Sequence, residues 1–278
     1  MWKLYSVRLA KFFSLRNLLI KSSLIQILFP KSSFVRVLGV NFFDGNVEKA
    51  IKESQKGGLV VAPSGPGLAN DLPRSEAYRL ALTNAELVLP DSGLVCLWLK
   101  LLSKKSLRRI SGLEFLKVLL NSAELQSSSF WVMPNKSQAE ANIAWLERKY
   151  KCSIESKSVY LAPMYPKTGY IEDQELLARL KSENYKFVFI QLGGGVQERL
   201  GLFLQKYLNK KTTIVCTGAA LAFLSGQQIR IPKWADKYYL GWLIRCMSDP
   251  LIFVPRYLSA FRLFWLLFRY GEKSPFRA

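Results

Sequence analysis

The chain has 278 residues, half of them hydrophobic, which is enough to bury a large core and argues against disorder. Lysine and arginine total 40 against 20 acids, a formal net charge of +20, which implies an anionic partner: nucleic acid, an acidic membrane surface or a phosphorylated substrate. There is no histidine, which excludes Ser-His-Asp and Cys-His catalysis and histidine-ligated zinc, and the four cysteines (Cys96, Cys152, Cys216, Cys246) form no CxxC pair and read as free thiols in a reducing compartment.

The first acid in the chain is Asp44, and seven basic residues precede it. Within residues 1–32, Trp2, Tyr5, Leu9, Phe12 and Phe13 recur at helical spacing and share one face. Basic residues interrupt every apolar stretch, so neither a spanning helix of about 20 apolar residues nor the uncharged core of a cleavable signal is available. The segment reads as a basic amphipathic helix lying on a membrane. Next, "SFVRVLGVNFF" predicts a strand and "NVEKAIKESQKG" a helix.

From there the pattern alternates. Strands are predicted over 58–64, 85–91, 128–134, 158–164, 185–192 and 212–218, and helices near 67–83, 92–104, 111–126, 136–150, 172–183 and 196–209. Steady strand–helix alternation, with strands apolar on both faces, predicts an α/β fold: a Rossmann-like, mostly parallel sheet with helices on both faces. No linker or repeat divides residues 33–233, which read as one domain.

In such sheets ligands bind at the C-terminal ends of the strands. Three of these ends are chemically loaded: Ala62-Pro63-Ser64-Gly65-Pro66-Gly67, Pro90-Asp91-Ser92-Gly93 and Gly193-Gly194-Gly195-Val196-Gln197-Glu198. A glycine-rich turn entering a helix offers backbone N–H groups to phosphate. This one departs from GxGxxG, with Glu198 at the last position, and it lacks the Lys-Ser/Thr of a P-loop. Taken alone, each turn also reads as ordinary punctuation, with Asp91 as a helix N-cap.

Residues 234–278 form a helical appendage. In "DPLIFVPRYLSAFRLFWLLFRY", Phe253, Tyr257, Phe261, Phe264 and Phe268 make an aromatic stripe, Arg256, Arg262 and Arg269 fall on another face, and Trp265, Leu266 and Leu267 widen the apolar surface. Guanidinium groups suit phosphate oxygens and aromatic rings suit the lipid interface. Both termini therefore read as membrane-facing.

In their order, these stretches resemble the WecG/TagA/CpsF family of bacterial glycosyltransferases over roughly residues 58–258. "NAELVLPDSGLV" is similar to the family's A-D-L-V-L-P-D-G, "RRISGLEFLKVLL" to R-V-x-G-x-D, "TGYI" to G-Y-F and "LGGGVQE" to G-x-P-K-Q-E. "TGAALAFLSGQQIRIPKWADKYYLGWLIR" resembles G-G-A-F-D-F-L-A-G followed by R-A-P-x-W and L-E-W-L-x-R. The resemblance implies a Rossmann-like core that moves a sugar from a UDP-sugar donor to a polyprenyl-diphosphate-linked sugar acceptor, with inversion and no metal or other cofactor. It implies an enzyme peripheral to the cytoplasmic face of the inner membrane, in cell-surface polysaccharide assembly.

Under that resemblance Asp91 is the general base, and Gln197 lies near the nucleotide. The substrate-binding set is Ser64, Ser92, Gly193, Gly194, Gln197, Glu198, Arg245, Arg256 and Arg262, the arginines serving the lipid diphosphate and an anionic membrane surface. The residues agree with this in several places: one carboxylate suffices for an inverting transfer, and the sequence holds no Asp-x-Asp pair. The sequence departs from the family at Ala62-Pro63-Ser64 (Thr-x-Asn), Gly195-Val196 (Pro-Lys), Ala222 (Asp) and Gly241 (Glu). These changes carry the alternative reading, a catalytically impaired member acting as a nucleotide-sugar or lipid-binding scaffold. A third reading, an RNA-binding protein, rests on net charge alone. Nucleic acid is not expected as a partner, because the basic residues at both ends interleave with large apolar ones. Homo-oligomerisation stays open.

Overall fold

This computed structural model describes residues 34–103, 107–121, 128–227 and 241–276. The basic amphipathic segment 1–32 lies outside the described residues. The stretch expected as one strand is a hairpin, in which β1 (Phe34–Val37) and β2 (Val40–Phe43) pair antiparallel. Its turn, Leu38-Gly39, has both residues at positive φ, 50° and 79°, the hand that matches strand twist. The N–H groups of Leu38 and Gly39 donate to the carbonyls of Gly271 and Glu272 at 2.8 and 3.0 Å, so the C-terminal residues hold the turn.

Helix α1 (Val47–Ser54) leads into β3 (Gly58–Val61). The single helix expected over 67–83 is two, α2 (Gly65–Asn70) and α3 (Glu76–Asn84). Pro73 falls between them; it lacks an N–H and crowds the preceding turn. Ser75 restarts the helix by accepting the Tyr78 N–H at 3.2 Å. Strand β4 (Leu87–Val88) is shorter than its expected span, since Pro90 has no N–H for a ladder. Then follow α4 (Gly93–Leu102), α5 (Gly112–Leu119), β5 (Ser129–Met133), α6 (Lys136–Tyr150), β6 (Val159–Leu161) and α7 (Gln174–Lys181). The core closes with β7 (Phe187–Ile190), α8 (Val196–Tyr207), β8 (Thr213–Cys216) and α9 (Ala220–Leu224).

Strands β3 to β8 form one parallel sheet in the order β4-β3-β8-β7-β5-β6, the Rossmann-like α/β fold that the alternation predicts. Side chains along each strand alternate between two apolar layers. Val61, Val88, Phe130, Val132, Val188, Ile190, Ile214 and Cys216 pack under α2, α3, α4, α7 and α8. Val60, Leu87, Trp131, Phe187, Phe189 and Val215 pack under α1, α5, α6 and α9, where the Trp131 and Phe189 rings stack at 4.3 Å. Fully burying one such side chain stabilises by about 1.5–3 kcal/mol, so a strand covered on both faces anchors the molecule.

The C-terminal region supplies α10 (Gly241–Ser248) and α11 (Pro250–Tyr270), the latter continuing through Pro255. Leu266 and Leu267, expected on the outer apolar surface, are instead buried with Leu263, because α11 lies on α2 and α4 and joins their layer. Phe261 and Phe268, each 78% exposed, and Trp265, 56% exposed, point outward with Leu258 and Phe264. The aliphatic face of α11 is therefore core, and its aromatic face is surface. Among the described residues, no helix is long and apolar enough to cross a membrane.

Candidate functional site

Four neighbouring strands, β4, β3, β8 and β7, bring their C-terminal ends side by side. Three of these ends are the loops singled out in the sequence; the fourth is Thr217-Gly218-Ala219, after β8. Asp91 stands two residues past the last β4-row residue, Leu89, whose N–H donates to Val61. It is not the cap of α4: Ser92 is, and without a side-chain cap bond. Instead the Asp91 Oδ1 accepts the N–H of Gly112, the first residue of α5, at 3.2 Å. The carboxylate therefore sits at the positive end of α5, where a negative charge is favoured.

Arg109, which was given no role from the sequence, is the other element of this arrangement. Its Nε donates to the Asp91 carbonyl at 2.8 Å, and its guanidinium lies 3.8 Å from Oδ1. The Asp91 side chain is 27% exposed, so it is held but reachable. Gly112 is tightly packed: a Cβ there would stand 3.2 Å from both the Ala62 Cβ and the Thr217 carbonyl oxygen, so the neighbours would have to give by a few tenths of an ångström. Gly112 thus closes β3, β8 and Asp91 around one point.

Ser64 caps α2, accepting the Gly67 N–H at 3.3 Å, and its hydroxyl lies toward Gly194. Ser92 is buried, with its hydroxyl against Gly65. Gly193 and Gly194 are exposed, and a Cβ at Gly193 would meet nothing within 4 Å, so this turn is open for a ligand to approach. Gly195 has φ +87°, a conformation that favours glycine.

Gln197 and Glu198 turn inward. The Gln197 Oε1 accepts the Gly218 N–H at 2.7 Å and its Nε2 donates to Glu198 at 3.1 Å, while Glu198 Oε2 accepts the Gly195 N–H at 2.7 Å. Both side chains are buried, so they shape the β7 and β8 loops from beneath. Burial pushes the Glu198 carboxyl up to about 7, against the lowering effect of its N–H donors. The folded chain holds this proton up to about pH 7, whereas the unfolded chain releases it near 4.5. The folded state therefore binds more protons in that window, and stability falls as pH rises through it, by about 3 kcal/mol in all. Urea unfolding midpoints should drop between pH 5 and 8 more steeply for the wild type than for Glu198→Gln. Parallel curves would remove Glu198 as the source.

Arg199, buried beside them, also went unnoticed in the sequence. Its Nε donates to the Gly195 carbonyl, and its two terminal nitrogens to those of Gly169 and Pro166, each at 2.8 Å. It fastens the Thr168-Gly169-Tyr170-Ile171 loop to the head of α8. A long basic residue after Gln-Glu gave no signal that it would point inward. Tyr160 and Tyr165 donate to Asp173, which in turn caps α7.

Arg262 is half-buried on α11. Arg245 and Arg256 lie on α10 and α11, but their side chains fall outside the described residues, as does the "RIPKW" stretch. A cavity of about 250 Å³, lined by Trp131, Tyr150, Cys152 and Glu155, opens at the opposite edge of the sheet and shares no residue with the site. Burial pushes the Cys96 thiol up to about 12, which keeps it protonated and inert.

A family model described as Glycosyl transferase WecG/TagA/CpsF matches residues 35–276. An N-acetylglucosaminyldiphosphoundecaprenol N-acetyl-beta-D-mannosaminyltransferase of Bacillus spizizenii strain W23 is 25% identical over 227 residues, 78% of this chain and 84% of the relative. A protein of the same name from Bacillus subtilis strain 168 is 24% identical over 209 residues, 73% of this chain and 78% of that one.

Proposed function

This chain belongs to the WecG/TagA/CpsF glycosyl transferase family, and we propose that it moves a sugar from a UDP-sugar to a polyprenyl-diphosphate-linked sugar with inversion. The observation that carries this is Asp91, held partly exposed at the strand ends by the Gly112 N–H and Arg109. In the proposed step the acceptor hydroxyl oxygen attacks C1 of the donor sugar from the face opposite UDP. Asp91 takes the hydroxyl proton as the new C–O bond forms, and the C1–phosphate oxygen bond breaks to release UDP. The open Gly193-Gly194 turn, at the head of α8, suits the leaving diphosphate. Arg245, Arg256 and Arg262 are proposed to serve the acceptor's diphosphate. Ser64 and Ser92 border the donor, and Gln197 and Glu198 support it through Gly218 and Gly195.

The acceptor class is supported by the names of both relatives, each an enzyme acting on N-acetylglucosaminyldiphosphoundecaprenol. We propose three regions: residues 1–32 as a membrane-contacting segment, 33–233 as the catalytic domain, and 234–278 as a second membrane-contacting region. The outward aromatic face of α11 supports the last of these, and with it a peripheral membrane enzyme; its place on the cytoplasmic face is part of the same proposal.

The test is to incubate the protein with a panel of UDP-sugars and a polyprenyl-diphosphate-linked sugar, and to measure released UDP. Release is expected in EDTA as well as with Mg²⁺, since the sequence offers neither histidine nor an Asp-x-Asp pair. Release that stops in EDTA and returns with metal would overturn the metal-independent step. UDP at 100 times its dissociation constant should stabilise the fold by about 2.7 kcal/mol. UDP-induced stabilisation without any release would support the scaffold reading, which the buried Ala222 and Ala62 favour.

A further inference from the structure

Gln191 and Thr217 are the residues that immediately follow β7 and β8. Ile190 and Cys216 are register partners, so Gln191 and Thr217 continue the pairing of two adjacent strands. They follow Phe189 and Val215 by two residues and so face the α5 and α9 side of the sheet, the side on which Gly112 meets Asp91. Gly112 is the common neighbour: its N–H reaches Asp91, and its missing side chain would meet Thr217. The sequence reading passed over both residues, because they look like strand ends.

Both are more than nine-tenths buried. The Gln191 Oε1 accepts the Leu221 N–H at 3.3 Å, but among the described residues its Nε2 has no hydrogen-bond partner, and neither has the Thr217 Oγ1. A buried amide N–H₂ and a buried hydroxyl left unpaired are each costly, and here the two residues sit at the ends of adjacent strands, on the side of the sheet where Gly112 meets Asp91. Gly112 has no side chain, and α9, only five residues long, is joined to Gln191 through that long 3.3 Å bond.

We propose that Gln191 and Thr217 form a donor subsite that reads an amide: a ligand carbonyl accepts from Gln191 Nε2, and the adjoining ligand N–H donates to Thr217 Oγ1. This rests on the UDP-sugar reading above. A UDP-sugar offers a C=O and an adjoining N–H in two places: side by side on the imide edge of its uracil and, in an N-acetylated sugar, on opposite sides of the trans acetamido amide, which would then lie between the two protein atoms.

Thr217→Val is close to isosteric and deletes the hydroxyl, while Thr217→Ser keeps it. Binding of UDP, UDP-N-acetylglucosamine, UDP-N-acetylmannosamine and UDP-glucose to wild type and both variants would be measured by calorimetry, with circular dichroism as the folding control. If the acetamido group is read, Thr217→Val narrows the preference for the N-acetylated donors over UDP-glucose by about tenfold or more, and Thr217→Ser largely restores it. If the uracil is read, Thr217→Val weakens UDP itself and every UDP-sugar by that same factor. Unchanged affinity for all four ligands in a folded Thr217→Val overturns the proposal and makes the pair an internal polar contact. A wild type that binds none of the four overturns the donor reading itself, and this subsite with it, so the two failures are distinct.

Discussion

Asp91→Asn is expected to lower turnover by roughly a hundredfold or more while leaving the fold and the affinity for UDP unchanged. The expectation follows from what the carboxylate does and does not hold. Its Oδ1 accepts the Gly112 N–H, and an asparagine oxygen can accept the same bond. Its backbone carbonyl, not its side chain, receives the 2.8 Å bond from Arg109, so that contact survives as well. What asparagine cannot do is the step proposed for Asp91, taking a proton from the acceptor hydroxyl, and general base catalysis is worth about two to four powers of ten. Circular dichroism and UDP affinity check the first half, and single-turnover release of UDP checks the second. If turnover is intact, Asp91 is only an anchor for the N-terminus of α5.

The second large effect belongs to the outer face of α11. Replacing Phe261, Trp265 and Phe268 together by serine should release the protein from anionic vesicles, with a loss of partition of roughly a hundredfold or more, while thermal stability changes little. All three side chains already face water, so the fold gives up little burial. On a bilayer, each ring would bury an area worth about 1 kcal/mol or more, and three together exceed the contribution of any single basic residue, about 1 kcal/mol. Leu263→Ala is the contrasting change. That side chain is fully buried, so its loss should cost about 2–5 kcal/mol of stability and leave vesicle binding per folded molecule alone. The same packing means that deleting residues 250–278 would not isolate an anchor, because it strips a layer from α2 and α4 and removes the backbone bonds that hold the β1–β2 turn. Vesicle binding unchanged by the triple substitution would make this aromatic face something other than a lipid contact.

Much of this was legible in the chain. The alternation of apolar runs with amphipathic ones gave the parallel α/β sheet, because a strand covered on both faces must be apolar on both. Pro90-Asp91-Ser92 and Gly193-Gly194-Gly195 were visible as loaded strand ends, because turns need residues that strands and helices exclude. The hairpin at 34–43 was missed because Leu38, a poor residue for positive φ, occupies the turn and is held there by Gly271, more than 200 residues away. The break near Pro73 was legible and was passed over in favour of helical periodicity.

The sequence by itself determined most of the strands and helices and the glycine- and proline-rich turns that end the strands, since periodicity, proline and glycine act over a few residues. The tertiary structure alone decided that β4, β3, β8 and β7 are neighbours, so that Ala62, Asp91 and Thr217 meet around Gly112 although they span some 155 positions of chain. It decided that Gln197, Glu198 and Arg199 point inward as buried supports, while Arg109 reaches Asp91. It also decided which of two apolar faces of α11 is core. Leucine and phenylalanine are both hydrophobic enough for either side, and only the shape of the layer beneath, α2 and α4, took Leu263, Leu266 and Leu267 inside and left Phe261, Trp265 and Phe268 outside.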